Sequence, residues 1–262
     1  MGGASHNPLA TRWCSPPESG RRIALVWACA SALLASFVRA EPRVDKPYPD
    51  SGGFDDEIRA FEDADRNQFP PRDAIVCIGS SSMKGWHHDI DEDLAPLTIV
   101  ARGFGGSNMN DALHYADRIV IPYAPRAVVL YEGDNDVAQG ISPLTILDTF
   151  QAFVAGVREA LPGTRFYVVS IKPSIDRWTL WPQMEAANQL LAEQCARDET
   201  LTYIDVATGM LDAKGNPRKD IFLSDDLHMN RAGYDVWRDA VRPILIPAES
   251  PHESAPEPAS SQ

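Results

Sequence analysis

Four clusters of polar residues follow apolar runs in this chain, and together they hold the groups that nucleophilic acyl transfer requires. That chemistry needs a hydroxyl, a base that accepts its proton, an acid that orients the base, and hydrogen-bond donors for the oxyanion. Ser81 can supply the hydroxyl, and His228 can act as the base with Asp225 close before it. Gly106 offers a backbone N–H, and Asn135 a side-chain amide, as oxyanion donors. Each cluster alone is typical of a turn or a helix cap, so the prediction depends on their combination.

His228 is the histidine best suited to be the base, because it lies in a loop at a strand end with a carboxylate nearby. His87 and His88 lie in a polar run that is typical of an exposed surface. His114 falls within a predicted helix, and His252 lies in a segment rich in Pro, Ser and Glu. The pattern therefore assigns the base to the loop that precedes the last predicted helix.

The elements that must position these residues are short strands that alternate with helices. Apolar runs rich in Val, Ile and Tyr predict five strands, at residues 74–78, 97–101, 127–131, 166–170 and 202–206. Their near-continuous apolar character favours parallel strands covered on both faces. The alternation predicts a doubly wound α/β sheet, in which ligands bind at the carboxyl ends of the strands. The polar clusters follow those ends.

Helical periodicity between the strands predicts helices at residues 55–67, 111–119, 181–196 and 231–242, and a further one after Ser142. Ser142 is a favourable N-cap, and Pro143 suits the first helical position. The predicted apolar stripe of this helix is Leu144, Leu147, Phe150, Val154, Val157 and Leu161. Pro162 and Gly163 end the helix.

The four clusters, in order, resemble the sequence blocks of the SGNH, or GDSL-type, serine hydrolase family. Ile-Gly-Ser-Ser-Ser at 78–82 is similar to the first block, and Arg-Gly-Phe-Gly-Gly-Ser at 102–107 to the second. Gly-Asp-Asn-Asp at 133–136 matches the G-x-N-D block, and Asp-Asp-Leu-His at 225–228 matches D-x-x-H. The resemblance spans residues 74–237, nearly all of the predicted core. Two departures, Ser80 where the family often has Asp and Ala101 where it often has Asn, concern substrate preference more than reaction class.

This resemblance implies roles for the residues in the matching positions. Ser81 would be the nucleophile of a triad with His228 and Asp225, and the oxyanion would be bound by Ser81, Gly106 and Asn135. The implied fold is a three-layer, flavodoxin-like one whose five-stranded parallel sheet has the order 2-1-3-4-5. The implied reaction is hydrolysis of carboxylic esters, with short acyl or acetyl groups, through an acyl-enzyme and without a metal or cofactor.

Substrate contacts are predicted from aromatic residues near the blocks. Trp86 follows the nucleophile, Phe104 lies in the second block and Trp178 follows the fourth strand, although packing inside the protein explains such aromatics equally well. An alternative substrate class is an acetylated polysaccharide or peptidoglycan. A further alternative is a carbohydrate-binding module without turnover, but such a module has no need of all the predicted catalytic groups.

The first forty residues have the pattern of a secretory signal peptide. Arg21 and Arg22 precede an apolar run at 23–38, and small residues lead to a cleavage site after Ala40. The run is shorter than the roughly 20 apolar residues that span a bilayer. We therefore expect a secreted or periplasmic protein without stable membrane association after cleavage. An uncleaved anchor is the alternative, and Sec or twin-arginine export is left open.

The remaining chain divides by composition. Residues 41–53, with three Pro and two Gly, predict an extended arm, and residues 54–246 the hydrolase domain. Residues 247–262 predict a disordered tail, because a segment rich in Pro, Ser and Glu buries little apolar surface.

Net charge restricts the classes of binding partner, and cysteine content restricts the possible disulfides. The chain is 44% hydrophobic and has a net charge of −13. Cleavage after Ala40 leaves 20 basic and 36 acidic residues, a net charge of −16. This excess disfavours nucleic acid and anionic lipid as partners. The family resemblance implies a small-molecule or glycan ester as the partner. Cys77 and Cys195 remain after cleavage; one disulfide is an alternative, but the apolar strand around Cys77 favours two buried thiols.

Overall fold

A computed structural model describes residues 45–253, and its centre is a five-stranded parallel sheet. The strands are β1 (Ile75–Gly79), β2 (Ile99–Gly103), β3 (Ala127–Tyr131), β4 (Arg165–Val169) and β5 (Leu201–Ile204). Their order, β2-β1-β3-β4-β5, confirms the predicted fold class and topology. Strand ends differ from the predicted ones by one or two residues at most.

Helices cover both faces of the sheet. They are α1 (Asp55–Asn67), α2 (Ser81–Trp86), α3 (Ile90–Asp93), α4 (Met109–Ile119), α5 (Asp134–Gln139), α6 (Pro143–Ala160), α7 (Trp181–Cys195) and α8 (Arg231–Glu249). Successive β1 residues face opposite sides: Val76 and Ile78 join the core formed with α1, α4, α6 and α7, whereas Ile75 and Cys77 join the core formed with α2, α3 and α8. The buried strands therefore read as continuous apolar runs. Within residues 45–253, no helix is both long enough and apolar enough to cross a bilayer.

The register of the three central strands places their carboxyl ends side by side. Gly79 of β1 lies opposite Gly103 of β2 and Tyr131 of β3. Because the strands are parallel, the segments that follow each of them leave the sheet at the same edge. This brings the first three predicted blocks together.

The predicted apolar stripe of α6 is partly wrong. Ser142 caps the helix by accepting the Thr145 N–H at 3.2 Å, as predicted. Leu144, however, is 63% exposed, while Ile146 and Phe153 are buried. Leu144 precedes Ile146 by two positions, which is about 200° around a helix, so the two side chains cannot share a face.

The C-terminal prediction needs correction as well. Residues 247–249 continue α8, and the segment up to Glu253 packs against the amino ends of the strands instead of forming a tail. The carboxylate of Glu249 is fully buried and accepts hydrogen bonds from Arg126 at 3.2 Å, Arg165 at 2.7 Å and Tyr167 at 2.6 Å. Composition misled the prediction because this glutamate is paired with cations and not solvated. Residues 254–262, like the predicted signal peptide at 1–40, lie outside the described residues.

The described part of the predicted arm lies along the domain in a non-helical conformation. Asp45 accepts hydrogen bonds from the N–H and hydroxyl of Ser142, each at 3.0 Å. Tyr48 donates to Asp136 at 2.8 Å. The arm is thus attached to the start of α6 and to the first turn of α5.

Both remaining cysteines are buried free thiols, as the apolar strand pattern favoured. Burial raises the pKa of Cys195 to about 12 and raises the pKa of Cys77 further. Neither thiol is therefore ionised at neutral pH, and both behave as small apolar side chains.

We expect Glu249→Ala to lower the free energy of unfolding by about 3 kcal/mol at pH 7, because it leaves Arg165 without a carboxylate and the buried Arg126 with only that of Glu253. The pKa of Glu249 is lowered in the folded state by Arg165, Tyr167 and Arg126 against the effect of burial. Its stabilisation is therefore present above the unfolded pKa of about 4.3 and disappears as the pH falls through the folded value.

Urea unfolding at pH 7 and at pH 3 checks this expectation. The control is Glu193→Ala, which removes an exposed pair with Arg197 and should change the unfolding free energy by less than about 0.5 kcal/mol. Equal stability of wild type and Glu249→Ala at pH 7 would show that the carboxylate does not hold the helix.

Candidate active site

A chain of two hydrogen bonds connects Asp225, His228 and Ser81. His228 Nε2 lies 3.0 Å from Ser81 Oγ, and His228 Nδ1 lies 2.7 Å from Asp225 Oδ2. Ser81 is the first residue of α2, directly after β1, while the other two residues lie in the loop before α8. The imidazole can accept the serine proton on one nitrogen while the carboxylate orients the other.

The loop around Asp225 keeps its carboxylate ionised and fixed. The ring of His228 and the backbone N–H groups of His228 and Leu227, at 2.9 and 3.0 Å, hydrogen-bond to it and hold the pKa of Asp225 far below its usual range. The side chains of Asp225 and His228 are 48% and 41% exposed. The hydrogen-bonded chain therefore lies open to solvent at the carboxyl edge of the sheet.

The predicted oxyanion donors lie on the two neighbouring segments. Gly106 follows β2 with a φ of +93°, a conformation that favours glycine, and its N–H makes no hydrogen bond within residues 45–253. Asn135, in the first turn of α5, donates its side-chain amide to the Ser107 carbonyl at 2.8 Å. The amide is thus held beside the residue that follows Gly106. Ser81 adds its own N–H, which has no intrahelical acceptor at the first helical position.

The segment that carries Gly106 is held by hydrogen bonds to other elements. Phe104 N–H donates to the Gly79 carbonyl at 2.9 Å, and Gly105 N–H donates to Glu57 of α1 at 3.1 Å. Gly103 N–H donates to His87 Nε2 at 2.8 Å. Burial and the nearby cation of Arg102 lower the pKa of His87 to about 4, so the ring is neutral and accepts this bond. The prediction that His87 belongs to an exposed surface was wrong, and no spacing in the sequence signals its role.

A buried pair of acids supports the segment after β3. Asp136 accepts hydrogen bonds from Gly133 N–H at 2.9 Å, Met109 N–H at 3.0 Å and the Tyr48 hydroxyl, and burial raises its pKa to about 6. Glu132 lies 2.6 Å from the Ser107 hydroxyl, and burial together with Asp136 raises its pKa well above the usual value. These groups connect the segments after β2 and β3, which carry the two donors.

Two of the three predicted substrate-binding aromatics lie in the core instead. Trp86 is fully buried, donates its indole N–H to Asp93 at 2.7 Å and packs on Trp237. Phe104 is fully buried and packs edge-on against Phe54 at 5.3 Å. Phe54, which the sequence did not indicate, extends from there to the site, and a Cβ on Gly106 would lie 3.9 Å from its ring.

Trp178, the third predicted aromatic, is half-buried and lines a surface cavity of about 560 Å³ together with Ile175, Asn216 and Arg218. The cavity adjoins the loop of Asp225 and His228, because Ile175 N–H donates to the Asp226 carbonyl at 3.1 Å. Its role in substrate binding stays a prediction. Among the described residues, no group of three His, Cys, Asp or Glu is placed to hold a metal ion.

Comparison with known proteins agrees with this architecture. Residues 73–236 match the model of the GDSL-like Lipase/Acylhydrolase family. A structure from Streptococcus pneumonia named for platelet activating factor is 20% identical, with a TM-score of 0.64 over 72% of this chain and 92% of that one. A GDSL-like lipase from Bacteroides thetaiotaomicron is 16% identical, with a TM-score of 0.60 over 73% of this chain and 98% of that one.

A mutant acetyl-xylooligosaccharide esterase from Geobacillus Stearmophilus is 15% identical, with a TM-score of 0.55 over 67% of this chain and 95% of that one. At these identities the structural matches show a shared fold. No curated protein sequence matches the chain. The family model covers well over half of the chain and includes all four polar blocks. The chain therefore belongs to the GDSL-like Lipase/Acylhydrolase family, which supports ester hydrolysis at the family level.

Proposed function

We propose that this protein is a secreted serine esterase that hydrolyses carboxylic esters with short acyl or acetyl groups through a covalent acyl-enzyme. The observation that carries the proposal is the hydrogen-bonded chain from Asp225 through His228 to Ser81, at 2.7 and 3.0 Å. The proposed secretion rests on the signal-peptide pattern of residues 1–40, and a mature N-terminus at Glu41 in the exported protein would test it.

In the first half-reaction, Ser81 Oγ attacks the ester carbonyl carbon while its proton passes to His228 Nε2. Asp225 stabilises the imidazolium that forms. The oxyanion of the tetrahedral intermediate accepts hydrogen bonds from the N–H groups of Ser81 and Gly106 and from the Asn135 amide. His228 then returns the proton to the departing alcohol oxygen, and an acyl-Ser81 ester remains.

In the second half-reaction, water attacks the acyl carbonyl while His228 accepts one of its protons. The second tetrahedral intermediate collapses, Ser81 Oγ regains the proton from His228, and the carboxylic acid leaves. The exposed triad gives water and a large alcohol group access to the acyl carbonyl.

The surroundings of the site support a short acyl group. The aromatic side chains of Trp86 and Phe104 are fully buried in the core, so neither is available to line a long acyl-binding groove. Phe54 lies beside Gly106, where it can form one wall of a small acyl subsite. We therefore expect turnover to fall steeply as the acyl chain lengthens beyond a few carbons.

An acetylated glycan is a second candidate substrate. The cavity beside the catalytic loop combines the indole of Trp178 with polar groups of Asn216, Arg218 and Asp220, a lining that suits a sugar alcohol. The structural similarity to an acetyl-xylooligosaccharide esterase supports the same candidate substrate. A substrate panel of p-nitrophenyl esters of increasing length and acetylated oligosaccharides distinguishes the two candidates.

Ser81→Ala should reduce ester hydrolysis to background, because no other hydroxyl lies against His228 Nε2 among the described residues. A fluorophosphonate probe should label the wild type at Ser81 and leave the variant unlabelled. Ser80→Ala is the neighbouring control and should still be labelled. Full hydrolysis by purified Ser81→Ala would overturn the assignment of the nucleophile, and an unlabelled wild type would favour a binding module.

Asn135→Ala should lower kcat by about 10²–10³-fold with little change in KM, the usual cost of losing one oxyanion donor. Steady-state kinetics on p-nitrophenyl acetate measure both constants. Asn67→Ala, at the exposed end of α1, is the matched control and should behave as wild type. A kcat of Asn135→Ala within twofold of wild type would remove the amide from the oxyanion site.

Asp225→Asn should lower kcat by about 10²–10⁴-fold, because an amide cannot stabilise the imidazolium and can select the wrong tautomer of His228. The control is the neighbouring isosteric change Asp226→Asn. Asp226 has a φ of +57°, which asparagine tolerates well, so this variant should fold and turn over normally. Equal losses in the two variants would indicate a general effect of loop charge.

A further inference from the structure

Asp134 is a buried carboxylate that lies between two cationic side chains. Both cations are outside the four sequence blocks. Its Oδ1 lies 2.7 Å from Arg177 Nη1, and its Oδ2 lies 3.2 Å from Lys172 Nζ. The side chains of Asp134 and Lys172 are 7% and 1% exposed, and that of Arg177 is 18% exposed. Burial favours the neutral acid, but the two cations outweigh it and lower the pKa of Asp134 below its ordinary value. The three groups therefore form a charged cluster of net charge +1.

Each cation of this cluster makes a second contact with a segment of the active site. Arg177 Nη1 also donates to Asn135 Oδ1 at 2.9 Å. Lys172 Nζ also donates to the backbone carbonyl of Leu227, the residue before His228, at 2.9 Å. The cluster thus joins the oxyanion side of the site to the base side.

The contact with Arg177 determines how the Asn135 amide is turned. A guanidinium can only donate, so the amide atom that faces Arg177 must be the oxygen. The Ser107 carbonyl on the other side can only accept, so the atom that faces it must be the nitrogen. With its orientation fixed from both ends, the amide keeps its second N–H free of partners among residues 45–253 and available to the oxyanion.

The contact with Lys172 is part of a wider attachment of the catalytic loop. The backbone N–H groups of Ile175 and Asp176 both donate to the Asp226 carbonyl, at 3.1 and 3.0 Å. Together with the Lys172 bond, they hold two consecutive carbonyls of the loop that carries His228. The segment after β4 is therefore the support on which this loop rests.

We propose that Asp134, Lys172 and Arg177 form an ionic brace of positioning residues, in which Arg177 sets the orientation of the Asn135 amide and Lys172 anchors the His228 loop. The proposal rests on the oxyanion and base roles proposed above. It predicts two separable effects: Arg177 acts on catalysis through Asn135, and Lys172 acts through His228.

A double-mutant cycle tests the Arg177 limb. Arg177→Met should lower kcat on p-nitrophenyl acetate by about tenfold at unchanged KM. This loss is smaller than that of Asn135→Ala, because the amide donor is misoriented and not removed. In an Asn135→Ala background the same change should lower kcat by less than about twofold, because the amide it orients is absent. Equal fold-losses in both backgrounds would overturn this limb, and a rise in KM alone would make Arg177 a substrate-binding residue.

Arg177→Lys guards this test against loss of folding. It keeps a cation beside Asp134, so it should fold even if Arg177→Met does not. In that case the double-mutant cycle uses Arg177→Lys instead of Arg177→Met. Its shorter side chain should satisfy the carboxylate but release Asn135, giving a smaller fall in kcat with the same dependence on Asn135. The control is Arg118→Met, near the C-terminal end of α4. It breaks contacts with Asp55 and Glu62 of α1 and should leave kcat unchanged.

For Lys172, in contrast to Arg177, the expected loss of activity does not depend on Asn135. Lys172→Met should slow both turnover and fluorophosphonate labelling of Ser81 by about tenfold, and by the same factor in the Asn135→Ala background, because independent sites add. A factor that vanishes in that background would contradict the separation of the two limbs. Failure of the proposed function would be distinguishable, since the wild type itself would then be unlabelled at Ser81, or Ser81→Ala would hydrolyse ester normally.

Discussion

The whole site depends on the parallel register of β1, β2 and β3. Gly79, Gly103 and Tyr131 lie at one level of the sheet, so the three segments that follow them start from neighbouring points. A shift of one residue in any pairing would exchange the two faces of that strand and move its loop. Burial on both faces prevents such a shift, because alternate β1 residues contribute to different cores. The packing of apolar side chains thus fixes the distances over which the polar ones act.

The acids at this edge differ in how strongly their surroundings favour the charged form. The groups around each carboxyl determine the direction of its pKa shift. Asp225 and Asp134 are ionised because hydrogen-bond donors or cations surround them. The pKa of Glu132 is raised well above its usual value because burial and Asp136 oppose its charge. A charged carboxylate beside Ser107 would repel the oxyanion that forms nearby, so a raised pKa of Glu132, which disfavours the charged form, suits this place. The ionised acids at this edge are therefore those that orient His228 or pair with cations, whereas the surroundings of Glu132 disfavour its charge.

Sequence spacing predicted the strands well and also indicated the candidate catalytic residues, because both follow from local patterns. Apolar runs identified the five strands, and the four blocks identified Ser81, His228 and Asp225, which the structure brings into one hydrogen-bonded chain. The supporting contacts could not be predicted in this way. His87 and Arg177 act on residues far along the chain, and their roles depend on burial that a single sequence does not reveal. Glu249 was misread for the same reason, since its composition suggests solvent and its partners lie on other elements.

The two edges of the sheet meet different physical demands. At the amino edge, the carboxylate of Glu249 accepts hydrogen bonds from Arg126, Arg165 and Tyr167 and so fixes the end of α8 to the strands. At the carboxyl edge, the cations of the Asp134 cluster also bind the oxyanion and base segments. Because α8 begins directly after the loop of His228, its packing at the amino edge limits how far that loop can move. The position of the base is therefore set from both ends of the loop, by the helix that follows it and by the brace beside it.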